Sequence, residues 1–107
     1  MVSRVLGLLG LARRGGKIFL GDSILPLFGK TKNMFVIVAN DCSDNTKKKW
    51  HDKCSYYHVE YKDFSSKGEI GHALGKDDIS VIALTDKNMI AKIKTIFKDG
   101  DINGTKQ

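Results

Sequence analysis

Apolar positions recur along the chain at two spacings, one helical and one extended, and their alternation predicts an α/β domain. Met34-Phe35-Val36-Ile37-Val38-Ala39 is a continuous apolar run. Rich in β-branched and aromatic residues, it has the pattern of a strand buried on both faces of a parallel or mixed sheet. The run ends in Asn40-Asp41-Cys42. Ser43 then stands as an N-cap, and Asp44 in the first turn suits the helix dipole. Thr46, Trp50, Cys54 and Tyr57 follow at helical spacing and are expected to share the buried face, with Lys47, Lys48, Lys49 and Lys53 on the body of the helix. A short strand from His58 to Tyr61 returns, so the stretch predicts a strand-helix-strand unit.

The flanking segments continue the alternation. From Ser3 to Arg14, Val5, Leu8, Leu9 and Ala12 repeat at helical spacing, and Leu6 and Leu11 widen the stripe into a largely buried helix. Gly7 and Gly10 weaken it by roughly 1 kcal/mol each relative to alanine, which points to close approach of a neighbouring element. Lys17 to Leu20 is a short strand. Gly21-Asp22-Ser23 opens a second helix to about Phe28, with Asp22 or Ser23 as its cap and Pro26 tolerated near its first turn. Lys62 to Phe64 is a connection. Ser65 or Ser66 caps a helix containing Ile70 and Leu74, and Glu69 completes a capping-box pattern with Ser66. After the charged loop Lys76-Asp77-Asp78, Ile79 to Thr85 is a strand. Asp86 caps a final helix whose Met89, Ile90, Ile93, Ile96 and Phe97 form one face, with Lys87, Lys92, Lys94 and Lys98 outside it. Alternating helices and strands predict a three-layer α/β/α sandwich.

Length and composition narrow the picture. At 107 residues and 41% hydrophobic content the chain fits one compact domain, residues 1–98, followed by a polar tail, residues 99–107, expected to fray. The longest apolar stretch, Val5 to Ala12, is far short of the roughly 18–20 residues of a membrane span. Arg13-Arg14 stand behind it where small cleavage-site residues would belong in a signal peptide, so it is read as a mature helix. Two cysteines without a dense framework suggest free thiols in a reducing compartment, the cytoplasm by default.

Charge points to the partner. Residues 1–53 hold ten Lys/Arg against four Asp, whereas residues 54–107 hold eight of each sign. This asymmetry favours a polyanion, nucleic acid rather than a membrane surface, over a merely solvated face. Chemistry finds less support. Gly29-Lys30-Thr31 ends like a phosphate loop, but Ile24 stands where its first glycine belongs. Gly10 to Gly15 has the glycine spacing, but Gly16 replaces the lysine. His51, Cys54 and His58 lack the paired spacing of a zinc site. His72 has no nucleophile motif beside it, and Asp77-Asp78 fit a solvated loop. No catalytic group, metal or cofactor is expected.

Several segments carry a resemblance. They are Leu8-Leu9-Gly10-Leu11-Ala12-Arg13-Arg14-Gly15-Gly16-Lys17, Gly21, Val36 to Lys48, Asp52 to Tyr57, Glu69-Ile70-Gly71-His72-Ala73-Leu74-Gly75-Lys76 and Val81-Ile82-Ala83-Leu84-Thr85-Asp86. In this order the chain resembles the ribosomal-protein L7Ae/L30e family of kink-turn RNA-binding proteins, its small bacterial members above all. The resemblance implies an α/β/α sandwich around a four-stranded mixed sheet. It also implies binding to sharply bent RNA flanked by sheared G·A pairs. Carried onto this chain, the second helix's N-terminus, Gly21, Asp22 and Ser23 with Lys17 beside them, enters the widened groove. The loop Lys76, Asp77, Asp78, Ile79 and Ser80 receives a flipped-out nucleotide, with Ile79 packing on the base.

The expectation is a non-catalytic, ribosome-associated RNA-binding protein, monomeric and cytoplasmic. Its partner is structured RNA, ribosomal RNA first, with ribosomal proteins as further partners and no membrane association. Arg13, Arg14, Lys17, Lys30 and Lys32 would supply phosphate contacts. Lys47 to Lys49 either extend that footprint or form a solvated helix face. Family members place Asn or Lys, then Glu or Gln, after the glycine of the second helix, and this chain has Asp22, Ser23 and Ile24 there. That departure motivates the alternative, a protein-assembly subunit of a ribonucleoprotein without kink-turn recognition.

Overall fold

The computed structural model describes residues 4–99. In chain order the elements are α1 (Arg4–Arg14), β1 (Ile18–Leu20), a 3₁₀ helix (Gly21–Leu27), β2 (Phe35–Val38), α2 (Asp44–Tyr56), β3 (Glu60–Asp63), α3 (Lys67–Ala73), β4 (Val81–Leu84) and α4 (Lys87–Lys98). The sheet has strand order β1-β4-β2-β3. β4 runs antiparallel to both neighbours, and β2 and β3 are parallel across the α2 crossover. All four residues of β2 and of β4 are buried. The continuous apolar runs in the sequence are therefore strands covered on both faces.

Strand alternation shows which helices lie on which side. Along β3, Tyr61 and Asp63 meet His51 of α2, whereas Glu60 and Lys62 meet Lys94 and Phe97 of α4. α1 packs on α3 and α4 to form one layer, and α2 and the 3₁₀ helix form the other. The chain is thus a three-layer α/β/α sandwich around a mixed four-stranded sheet. Ser43, Ser66 and Asp86 each accept a hydrogen bond from the backbone N–H three residues on, at 3.2, 3.1 and 3.0 Å, and cap α2, α3 and α4. The Glu69 carboxylate takes the Ser65 hydroxyl at 2.6 Å.

Several local expectations are corrected. The second helix is 3₁₀, not α, because Pro26 in its interior has no N–H to give to a continuous α ladder. Its N-cap position is Leu20. Ser23 turns back on it, accepting from the Leu20 N–H at 3.0 Å and donating to the Leu20 carbonyl at 2.6 Å. β3 begins at Glu60 rather than His58, so Lys62 and Asp63 belong to the strand. α2 closes with His58 at a φ of 59° and the Val59 N–H on the Cys54 carbonyl at 2.8 Å, a left-handed cap that extended backbone cannot include. Tyr57 is not interior; it is 39% exposed and stacks on Phe28 at 5.3 Å. Leu11 is likewise exposed, so α1 buries a narrower stripe of Val5, Leu9 and Ala12. β4 is confined to Val81–Leu84. The predicted tail beyond Asp99 lies outside the described residues.

Glycines mark where backbones meet. A Cβ on Gly10 would stand 3.1 Å from the Ala73 carbonyl, so α1 and α3 touch there, but one on Gly7 would meet nothing within 4 Å. Gly71 is the strictest site: a Cβ would fall 1.5 Å from the Asp77 carbonyl oxygen. The chain after α3 folds back over this point, with the Lys76 N–H on the Gly71 carbonyl at 2.8 Å and the Ile79 N–H on the Lys67 carbonyl at 3.1 Å.

Both cysteines are free and buried, and burial is the chief cause raising each thiol's pKa, that of Cys54 from 9.0 to about 12. Gly71→Ala is expected to destabilise the fold by roughly 2–4 kcal/mol, because backbone must move to admit the methyl. Gly7→Ala is expected to stabilise it by about 0.5–1 kcal/mol through helix propensity. Urea midpoints measure both. In the native protein at pH 8, iodoacetamide should alkylate neither thiol until urea unfolds the chain. The Cys54 contribution also predicts a pH dependence: the unfolded thiol ionises near 9 and the folded one near 12, so stability declines as pH rises through that window.

Candidate nucleic-acid interface

Sheet register brings two loops to one end of the molecule. Leu20, the last residue of β1, pairs with Ile82 of β4, so Gly21 and Ser80 emerge side by side from neighbouring strands. Gly21 turns the chain at a φ of 53°, a conformation open to glycine, and the Ser23 clamp fixes the next residues. Opposite them, Lys76, Asp77 and Asp78 project from the loop seated on Gly71. Ser80 gives its carbonyl to the Ala39 N–H at 2.8 Å. Ile79 is 7% exposed and sits in the core, leaving little side chain for a base to rest on. Asp41 caps the start of α3, its Oδ1 accepting from the Lys67 N–H at 2.8 Å.

The expected cation group does not assemble there. Lys17 precedes β1 and pairs with Asp86 at 3.6 Å, at the end of the sheet opposite Gly21. Lys32 lies before β2, at that same far end. Arg13 donates to the Leu74 carbonyl, where it serves the C-terminus of α3. Arg14 and Lys30 are exposed. Near the two loops the positive charge comes instead from α2. Lys49 Nζ lies 3.5 Å from the Asp22 carboxylate and 5.1 Å above the Trp50 ring. A helical wheel of α2 alone could not have found this neighbour, since it depends on where the 3₁₀ helix crosses. Lys48 is paired within its own helix to Asp52 at 2.9 Å, and that hydrogen bond and charge raise its pKa. The surface therefore carries Asp22, Asp41, Asp77 and Asp78 against Lys49, Lys67 and Lys76, close to electrical balance.

The other candidates are placed elsewhere. His51 binds Asp63 at 2.7 Å and stacks on Tyr61 at 4.5 Å between centroids, while Cys54 is in the core. Among the described residues no three His, Cys, Asp or Glu side chains gather as a metal site, and no helix is long and apolar enough to cross a membrane. His72 is exposed on α3.

Known proteins resemble this chain in sequence and in fold. A protein named RNA-binding protein YlxQ from Bacillus subtilis (strain 168) is 38% identical over 91 residues, covering 84% of this chain and 91% of its own length. One of the same name from Enterococcus faecium is 36% identical over 96 residues, covering 89% and 92%. Among solved structures, a Bacillus halodurans protein of unknown function superposes with a TM-score of 0.84 at 28% identity over 91% of this chain and 99% of its own. The Giardia lamblia 15.5kD RNA binding protein shares the fold, with a TM-score of 0.70 at 22% identity over 88% of this chain and 84% of its own. A family model matches residues 3–95, nearly all the sequence whose sheet and paired loops are described above, and the chain belongs to the ribosomal protein L7Ae/L30e/S12e/Gadd45 family.

Proposed function

We propose that this protein is a non-catalytic RNA-binding protein that recognises structured, kink-turn-like RNA as a monomer associated with the ribosome in the cytoplasm. The observation that carries the reading is the pairing of Gly21–Ser23 with Lys76–Ser80 at one end of the sheet, in a chain more than a third identical to proteins named as RNA-binding. Both segments are preset: one is clamped by Ser23 and the other rests on Gly71. A bent helix is recognised largely by shape and by its splayed bases, which rigid loops can read. The Asp22 carboxylate does not oppose this alone, since Lys49 shares its site. Ribosomal RNA is the first candidate target. Arg13, Arg14, Lys17, Lys30 and Lys32 would then act outside this surface, as contacts to flanking RNA.

The near balance of charge at the two loops favours a second reading, a protein-assembly subunit of a ribonucleoprotein, with ribosomal proteins as its partners.

Fluorescence anisotropy with a labelled kink-turn RNA, and with the same RNA after replacement of its G·A pairs, separates the two. Under the RNA reading, binding is lost on replacement. Contacts from Lys49, Lys67 and Lys76 give a slope of log affinity against log salt of roughly −2 to −3, and Lys49→Ala/Lys76→Ala brings it to about −1. Equal binding of both RNAs would refute kink-turn recognition. Absence of binding to either at low salt, with a protein co-purifying, would establish the assembly reading.

A further inference from the structure

α4 carries a row of lysines that the proposed function leaves unused. Lys87, Lys94 and Lys98 stand seven and four residues apart, which sets them on one side of the helix, clear of the buried Ile93 and Ile96. They line a cleft of about 1030 Å³ whose opposite wall is β3, an outer strand of the sheet. Lys62 on that strand reaches over the Phe97 ring, 5.5 Å from its centroid, and Lys32 closes the end near the start of β2. Five lysines thus face one carboxylate, Glu60, which pairs with Lys94. The cleft is strongly basic, and the two-loop surface is not.

We infer that this cleft binds an unpaired RNA strand laid along α4, distinct from the two-loop surface; the inference rests on the RNA-binding reading and extends it. Charge selects a polyanion. Length fits a short strand, since Lys87 to Lys98 spans about 16 Å of helix, comparable to roughly five stacked nucleotides. Surface chemistry then distinguishes nucleic acid from an acidic peptide. The lysines flank apolar Phe97 and Ile90, and across the outer edge of β3 the Tyr61 ring, 38% exposed, lies on the α2 side, backed by His51 at an interplanar angle of 21°, where a strand leaving the cleft would meet it. A positive groove combined with a supported aromatic face is how single-stranded nucleic acid is held, bases on rings and phosphates on lysines. A strand leaving a structured element bound at the two loops would find here the charge those loops lack.

The test uses the full chain and three labelled RNAs: a blunt-ended kink-turn, the same RNA with a six-uridine single-stranded extension, and a free twelve-residue oligouridylate. Lys87→Ala/Lys98→Ala is the main variant, because it leaves the Lys62–Phe97 and Lys94–Glu60 contacts in place. Unchanged thermal melting checks its fold. The extension should tighten wild-type binding about tenfold, and the variant should abolish that gain while binding the blunt RNA as before. On oligouridylate, four available lysines give a salt slope of about −3, falling to about −1.5 in the variant. Tyr61→Ala should weaken oligouridylate about fivefold or more. Equal wild-type affinity for blunt and extended RNA would overturn the cleft and leave the two-loop reading standing. Lysine- and Tyr61-dependent oligouridylate binding without kink-turn discrimination would uphold the cleft and remove the kink-turn reading. Failure to bind any of the three, or displacement of oligouridylate by polyglutamate with Tyr61→Ala silent, would overturn the cleft.

Discussion

Phe35–Val38 and Val81–Leu84 have no face toward solvent, and the remaining elements answer to that constraint. A central strand pair apolar on both sides must be covered twice. The chain therefore supplies α1, α3 and α4 beneath and α2 with the 3₁₀ helix above. Outer strands have only one inner neighbour, which is why Ile18–Leu20 and Glu60–Asp63 can be short, half-buried or polar. Burial of Leu9, Ile24, Cys54, Ile70 and Ile93 in one core with this pair supplies the apolar contact that fixes each helix to its layer.

What the sequence disclosed follows from this constraint. Unbroken apolar runs and side-chain caps at Ser43, Ser66 and Asp86 are local signals with local causes, so β2, β4 and the starts of three helices were legible. The failures are also local in kind but depend on backbone geometry. A histidine in the left-handed cap of α2 gives no glycine to mark it, so the sequence pattern starts β3 two residues early. Pro26 fits the first turn of an α-helix by pattern alone, but it stands in the helix interior, where its missing N–H goes with a tighter helix. The crossing of the 3₁₀ helix over α2, which pairs Asp22 with Lys49, is tertiary and leaves no sequence pattern.

Charge shows the same limit more sharply. Counted along the chain, the second half is neutral and the first half basic. In space, lysines from three separate segments meet at the β3–α4 cleft, including Lys62, Lys87, Lys94 and Lys98 from the half that sums to zero. Conversely, the first-half cations scatter: Arg13 serves a helix end, Lys17 pairs with Asp86, and Lys49 with Asp22. A linear count averages over the distance that matters, which for exposed charges is about 8–10 Å at physiological salt.

The loop resting on Gly71 has one more consequence. Its backbone is tied at both ends, by the Lys76 and Ile79 N–H groups, and packed on Gly71 between them, so a ligand arriving there would chiefly order the projecting side chains of Lys76, Asp77 and Asp78, at about 0.5–1.5 kcal/mol each. Such a loop cannot adapt to a poorly matched ligand. Any partner it took would be selected by refusal, one of the wrong shape being turned away by steric conflict instead of being held more weakly.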